Sequence, residues 1–371
     1  MNYSFDTVII GAGPAGMGCA IVLQKNDHKV CVIDKAVFPR NKTCAGLVTG
    51  KTFKLINMLF DNEEVDGLFC YTSSFIKLYR GNQLLVEAPI KNSARLVDRI
   101  DFDNSLVEKY KSLGGRILEG ERNISVDYDK NRVVLSNGDI IGYNHIVFAD
   151  GALSISHKLL KIDKRKLAFG IEAYVPSEQF DTSSVDIYFD CIEDGYLWAF
   201  PHGKTVCVGA ANMYNKSTDY KKTVSDFLKS NGVDPEKQRY VGAFLPYGYV
   251  VNQEKLPDNA ILAGDAGGFT DPISGEGLYM ALRTGMLAAE SLSSSEPKKA
   301  YLKSIQPLVS IVKNGKKAQK LFFNSGVQKT FLKKVQDKRD LVAYFYDNMV
   351  DEYRYDYRSV GKMYSDYKNG K

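Results

Sequence analysis

Residues 6 to 34 constrain this chain more than any other stretch. An apolar run, DTVIIGAG, meets a glycine-rich turn, a helical pattern follows through GMGCAIVLQKN, and a second apolar run, KVCVIDK, closes the segment. That order predicts one βαβ unit. Its turn is Gly11-Ala12-Gly13-Pro14-Ala15-Gly16, and a G-x-G-x-x-G pattern carries meaning only where it joins a strand to a helix. Gly11 permits the tight turn, Gly13 lets the backbone approach a pyrophosphate, and Gly16 with Ala20 lets the helix pack closely on the strand. The helix opened by Pro14 and Ala15 then offers its first N–H groups to phosphate oxygens. Asp34, with Lys35 beside it, ends the second strand, where a carboxylate accepts from a ribose 2′-hydroxyl and disfavours a 2′-phosphate.

A second strand-to-glycine junction lies far along the chain. Ile261-Leu262-Ala263-Gly264-Asp265 leads into FTDPISGEGLYMALRTGMLAAESL. An aspartate at a strand end can bond polyol hydroxyls, and Gly275, Glu276 and Gly277 open a helix with the apolar face Leu278, Ala281, Leu282, Ala289 and Leu292. The positive end of a helix stabilises a delocalised anion by roughly 0.3–1 kcal/mol. A reduced isoalloxazine, electron-rich near N1 and O2, is such an anion. Together the two junctions predict FAD, whose two halves each need a site.

With 371 residues, the chain predicts two or more domains. Its 44% hydrophobic and 25% charged residues exclude a disordered, collagen-like or coiled-coil chain. No run approaches the roughly 18 apolar residues of a spanning helix. The N-terminus lacks a basic signal region, so a cytoplasmic location is expected. Residues 98 to 113 read as a helix ended by Gly114-Gly115, and residues 167 to 250 as a mostly antiparallel sheet interrupted by a helix near 219 to 231. Residues 297 to 360 read as mainly helical. The expected architecture is α/β: a Rossmann-like FAD-binding domain formed discontinuously by 1–70, 92–165 and 255–296, an antiparallel-sheet substrate domain of 71–91 and 166–254, and a C-terminal helical region of 297–371.

Five motifs give this outline a resemblance. Beside GAGPAG and AGDAGGFTDPISGEG stand Phe38-Pro39-Arg40-Asn41-Lys42-Thr43-Cys44-Ala45-Gly46, Ala149-Asp150-Gly151-Ala152-Leu153-Ser154 and Tyr196-Leu197-Trp198-Ala199-Phe200-Pro201. In this order they resemble the geranylgeranyl reductase family, within the flavoprotein superfamily that includes p-hydroxybenzoate hydroxylase. The stretch DRIDFDNSL resembles a further family motif and makes Arg99 a candidate FAD contact. The chain departs from the pattern at Ala45, where many relatives have Gly, at His157, where an Arg is common, and at His202, where Lys is frequent.

The resemblance implies that Cys44 lies beside the flavin, in protonation or flavin positioning. Ala45, Gly46, Asp150 and Gly151 join Gly264, Asp265, Gly275, Glu276 and Gly277 as candidate cofactor contacts. Cys19, Cys31, Cys70, Cys191 and Cys207 read as packing, without C-x-x-C spacing. Tyr196 and Trp198 alternate with Leu197, so both face one side of their strand: plain core, or the wall of an apolar tunnel. The four histidines show no metal-ligand spacing, and no G-x-S-x-G marks a nucleophile elbow.

The implied activity is reduction of C=C bonds in a prenyl chain, by hydride from flavin N5 plus protonation. Alternatives are an FAD-dependent monooxygenase of an aromatic or apolar molecule and a catalytically silent lipid-binding flavoprotein. Tryptophan halogenases carry W-x-W-x-I-P where this chain has Tyr196, Trp198, Phe200 and Pro201, which argues against halogenation. With one dinucleotide fingerprint, the electron donor, NAD(P)H or a reduced carrier protein, must bind transiently. Residues 296–371 hold 17 Lys and Arg against 8 Asp and Glu, a net +9. This charge either solvates a helical face or makes reversible contact with an anionic membrane. Tyr353, Tyr355 and Tyr357 alternate with charges; surface or helical packing accounts for them better than stacking on nucleic acid.

Overall fold

The computed structural model describes residues 2–63, 65–162, 166–180, 182–213, 216–323, 325–351, 358 and 360–369. Tyr353, Tyr355 and Tyr357 lie outside the described residues.

The N-terminal βαβ unit forms as its pattern requires. The strand Asn2–Ile10 runs parallel to Val30–Ile33 across the helix Pro14–Lys25. Val30–Ile33 is buried throughout, as a parallel strand covered on both faces must be. Arg116–Leu118 pairs with its outer edge, and Ile140–Phe148 runs parallel to Asn2–Ile10 on the other side. Ala260–Leu262 joins Ile140–Phe148 in parallel, so both glycine junctions leave the same sheet. Arg132–Val134 and Ser125–Asp127 add a short antiparallel edge to this seven-stranded sheet. The helix Pro14–Lys25 packs on Leu278–Leu292 so closely that a Cβ on Gly285 would lie 2.0 Å from the Ala15 carbonyl oxygen. Only glycine permits that approach.

The larger sheet has eight strands, in the order Tyr240–Pro246, Leu167–Pro176, Thr205–Met213, Gly195–His202, Val185–Phe189, Tyr71–Arg80, Gln83–Leu96 and Leu47–Val48. All neighbours are antiparallel except Val185–Phe189 with Tyr71–Arg80. The strand Gln83–Leu96 continues past residue 91 almost to the helix Arg99–Ser112. On one face, Leu197, Ala199, Val208 and Ala210 pack beneath the helix Tyr220–Ser230 through Val224, Phe227 and Leu228. On the other, Trp198 and Phe200 cluster with Leu332, Val335, Leu341 and Val342 from the helices Ser325–Val335 and Arg339–Asp351. The alternation of Gly195–His202 thus places Tyr196, Trp198 and Phe200 on the side covered by the C-terminal helices. Among the described residues, no helix is long and apolar enough to cross a membrane.

Candidate flavin and substrate site

At the first glycine junction, a Cβ on Gly11 would lie 2.5 Å from the Ala149 carbonyl oxygen, and Gly11 has φ +105°. A Cβ on Gly16 would lie 1.8 Å from the Gly11 oxygen. Both glycines are fixed by geometry. Asp34 holds the turn, accepting from the Ala12 N–H at 2.6 Å and from the Ala36 N–H at 2.8 Å through separate oxygens. Each oxygen keeps a lone pair for a ribose hydroxyl. Lys35 stays exposed at the surface.

Space lies open over Gly13, where the nearest atom to an added Cβ is Arg40 Nη2 at 3.5 Å. Arg40 Nη2 also pairs with Asp103 at 3.1 Å, while Arg40 Nη1 is buried with no hydrogen-bond partner. Asp103, fully buried, takes two further bonds of 2.7 Å from the guanidinium of Arg99. Two arginines on one carboxylate leave an excess positive charge beside the glycine turn and an unused donor near it. A pyrophosphate fits this cradle. Arg40 lies within the Phe38–Gly46 motif, but no local pattern marks it for a role; its meaning depends on Asp103, which contacts it only in three dimensions.

The second junction is ordered by its own acids. Gly264 N–H donates to Thr284 Oγ1 at 2.8 Å, and Thr270 Oγ1 donates to Asp265 Oδ1 at 3.0 Å. Asp271 accepts the N–H groups of Ile273 and Ser274, each at 2.9 Å, and fixes the loop before Gly275. The helix Leu278–Leu292 begins without a side-chain cap or an acidic residue in its first turn, so its positive end is available to an anion. Glu276 is instead tied inward: Thr49 Oγ1 donates to it at 2.8 Å, and Lys51 pairs with it at 2.6 Å. In the third loop, Asp150 accepts from Ser154 Oγ and, at 2.7 Å, from the Ile155 N–H. Burial nevertheless pushes its carboxyl above the usual range. Gly151 follows with φ +85° and open space where a side chain would be. His157 Nε2 faces the Ala266 carbonyl at 2.8 Å and joins this loop to the second junction.

The larger sheet meets this framework at two places. Tyr196 Oη donates to the Ser274 carbonyl at 2.5 Å, and burial followed by the Asp271 charge holds its phenol above its ordinary pKa. Cys44, half-buried, lies close enough to feel the charge of Arg99, and the Gly46 N–H donates to its sulfur at 3.4 Å. The Cys44 N–H donates to Glu172 Oε1 at 2.9 Å. Ala45 presents its carbonyl to His202 Nε2 at 3.0 Å, and His202 Nδ1 faces Asp98 Oδ1 at 2.8 Å. Burial alone would lower the His202 pKa, but its bonds to Asp98 and Cys70 outweigh this and raise it to about 10. Cys70, read from sequence as packing, lies 3.4 Å from His202 Nδ1. Cys70, Asp98 and His202 are the one grouping of potential metal ligands among the described residues.

This fold, with a cradle that a pyrophosphate would fit at one glycine junction and an uncapped helix at the other, is that of an FAD-dependent oxidoreductase. A family model described as pyridine nucleotide-disulphide oxidoreductase matches residues 5–182. An uncharacterized protein of Methanosarcina barkeri is 32% identical over 295 residues, covering 78% of this chain and 75% of its own. Geranylgeranyl diphosphate reductase of Rhodobacter capsulatus is 28% identical over 318 residues, covering 82% of this chain and 77% of its own. The crystal structure of a geranylgeranyl bacteriochlorophyll reductase-like protein of Thermoplasma acidophilum aligns with TM-score 0.77 and 17% identity, over 98% of this chain and 96% of its own. Flavin-dependent halogenases and a probable monooxygenase share the fold. The chain belongs to the geranylgeranyl reductase family of FAD-dependent oxidoreductases.

Proposed function

We propose that this protein reduces C=C double bonds of a prenyl chain. The observation that carries this reading is the aromatic row Tyr196, Trp198 and Phe200, with ring centroids 6.0 and 6.5 Å apart. It lies under apolar C-terminal helices and ends, through the Tyr196 hydroxyl, at the loop before Gly275. Arg40 and the Gly11–Gly16 turn would hold the pyrophosphate, and the helix Leu278–Leu292 would face the flavin ring. When bound and reduced, FAD supplies hydride.

An isolated prenyl alkene has no carbonyl to take up negative charge. Protonation therefore leads or accompanies hydride delivery, and one carbon becomes transiently positive. The ring faces of Trp198 and Tyr196 can stabilise that charge by about 0.5–2 kcal/mol. The Cys44 thiol, or water held beside it, is the proton source. The guanidinium charge of Arg99 acts on Cys44 and would offset the negative charge left behind. The electron donor, NAD(P)H or a reduced carrier protein, binds transiently.

Exposed Lys313, Lys317 and Lys320 on the helix Gln306–Phe322, next to the exposed Leu321, support reversible contact with an anionic membrane. Salt-sensitive sedimentation with anionic liposomes tests this contact; binding indifferent to both salt and lipid charge would refute it. Mass spectrometry of lipids from cells with and without the gene tests the activity. The reading requires prenyl lipids poorer by two hydrogens per spared double bond when the gene is absent. Identical lipid profiles would count against it.

A further inference from the structure

We propose that Glu172 and His202 are positioning residues that clamp the Cys44–Gly46 loop onto the larger sheet and so fix the direction of the Cys44 thiol. This rests on the reading above, which places the reaction at Cys44.

The backbone of the loop is held almost completely. Its Cys44 N–H goes to Glu172 Oε1 at 2.9 Å, and its Cys44 carbonyl accepts from Tyr174 Oη at 3.4 Å. The Ala45 carbonyl takes His202 Nε2 at 3.0 Å, and the Gly46 carbonyl takes the Val97 N–H at 3.0 Å. Two of these four partners are ionisable side chains buried in the larger sheet, at 2% exposure for Glu172 and 5% for His202. Burying such groups is costly unless each is paired.

His202 carries its own argument. A carbonyl and a carboxylate face its two ring nitrogens. Both are acceptors, so the ring donates from both sides as an imidazolium. It thereby joins the Cys44 loop to Asp98, at the start of the helix that carries Arg99 and Asp103. The edge of the Tyr174 ring packs on it at 5.3 Å. A Cβ on Gly46 would lie 3.1 Å from the imidazole, which leaves no slack between clamp and loop.

Glu172 sits opposite Gly209, which in turn sits opposite Trp198. Paired residues in antiparallel strands share a face, so Glu172 is a lone carboxyl on the aromatic side. A Cβ on Gly209 would lie 2.3 Å from the indole of Trp198. The indole therefore lies across the bare backbone between Glu172 and its own strand. One carboxyl thus stands between the proposed proton source and the proposed cation-stabilising ring.

The test is alkylation of Cys44 by N-ethylmaleimide in the FAD-loaded enzyme, read by mass spectrometry of the Cys44 peptide, together with kcat and KM. Glu172→Gln keeps an oxygen for the Cys44 N–H and should alkylate at the wild-type rate. Glu172→Met and His202→Leu should change the alkylation rate roughly fivefold or more, the factor equivalent to a lost hydrogen bond of about 1 kcal/mol. They should lower kcat with KM little changed. His202→Lys, which can donate to both acceptors, should restore much of the loss. If Glu172→Met does not fold, the His202→Leu and His202→Lys pair decides alone. Wild-type alkylation and kcat in folded Glu172→Met or His202→Leu would overturn the clamp. A wild-type enzyme inactive on every prenyl substrate would overturn the reductase reading, while the alkylation rates would still judge the clamp.

Discussion

The Tyr196 hydroxyl donates to the Ser274 carbonyl at 2.5 Å, so the aromatic row of the substrate sheet is pinned to the loop that precedes Gly275 and the helix Leu278–Leu292. Removing this bond should loosen the loop without emptying the row. Tyr196→Phe is expected to weaken FAD binding about fivefold, the equivalent of roughly 1 kcal/mol. Titration of the apoprotein with FAD measures it, and unchanged affinity would mean that the loop needs no anchor from the sheet.

Arg40 offers a buried donor with no partner beside the glycine turn. Arg40→Met should cost about 1.5–3 kcal/mol of FAD affinity, roughly ten- to hundredfold, as loss of a charged hydrogen bond does. Tm without FAD should change less than Tm with it, which the thermal shift on adding FAD measures.

Gly209 gives Trp198 its place. Gly209→Ala should displace the indole and destabilise the fold by about 1–3 kcal/mol. Because Trp198 is the only tryptophan, its emission spectrum reports the displacement directly. Trp198→Leu keeps the site apolar but removes the ring face. A rate loss beyond about tenfold would correspond to more than ~1.4 kcal/mol of transition-state stabilisation.

His202 sets a pH dependence. Its folded pKa of about 10 lies above the ordinary histidine value of 6.5, so folding takes up protons. The resulting stability is complete below the unfolded pKa and is lost as pH rises through about 10. The Tm advantage of wild type over His202→Gln should therefore shrink steadily between pH 7 and 10. An advantage that grows with pH would contradict the imidazolium.

The parts legible in the sequence are those with a strong local period. The βαβ unit, the helix Arg99–Ser112 and the helix Leu278–Leu292 all lie where their patterns put them. The helix Gly50–Leu59 is not legible in the sequence, because Lys51 and Thr52 turn inward to meet Glu276 and Thr49 and blur the apolar stripe. The hairpin Tyr71–Leu96 was visible only as part of a sheet, since register shifts at Ser73/Phe75 and Leu78/Tyr79 break its period of two. Among site residues, the glycine turns and the aromatic row could be read locally. Glu172 and His202 could not: their partners Cys44 and Ala45 lie 128 and 157 residues away.

The central claim is reduction of an isolated alkene by this flavoprotein. The most direct measurement is anaerobic incubation of the FAD-loaded enzyme with dithionite and a geranylgeranyl lipid or diphosphate, followed by mass spectrometry. The account predicts products that gain two hydrogens per double bond, without oxygen, and a slowed or incomplete reduction in Cys44→Ser with FAD retained. Product that forms only in air and gains an oxygen atom would contradict it and identify a monooxygenase instead.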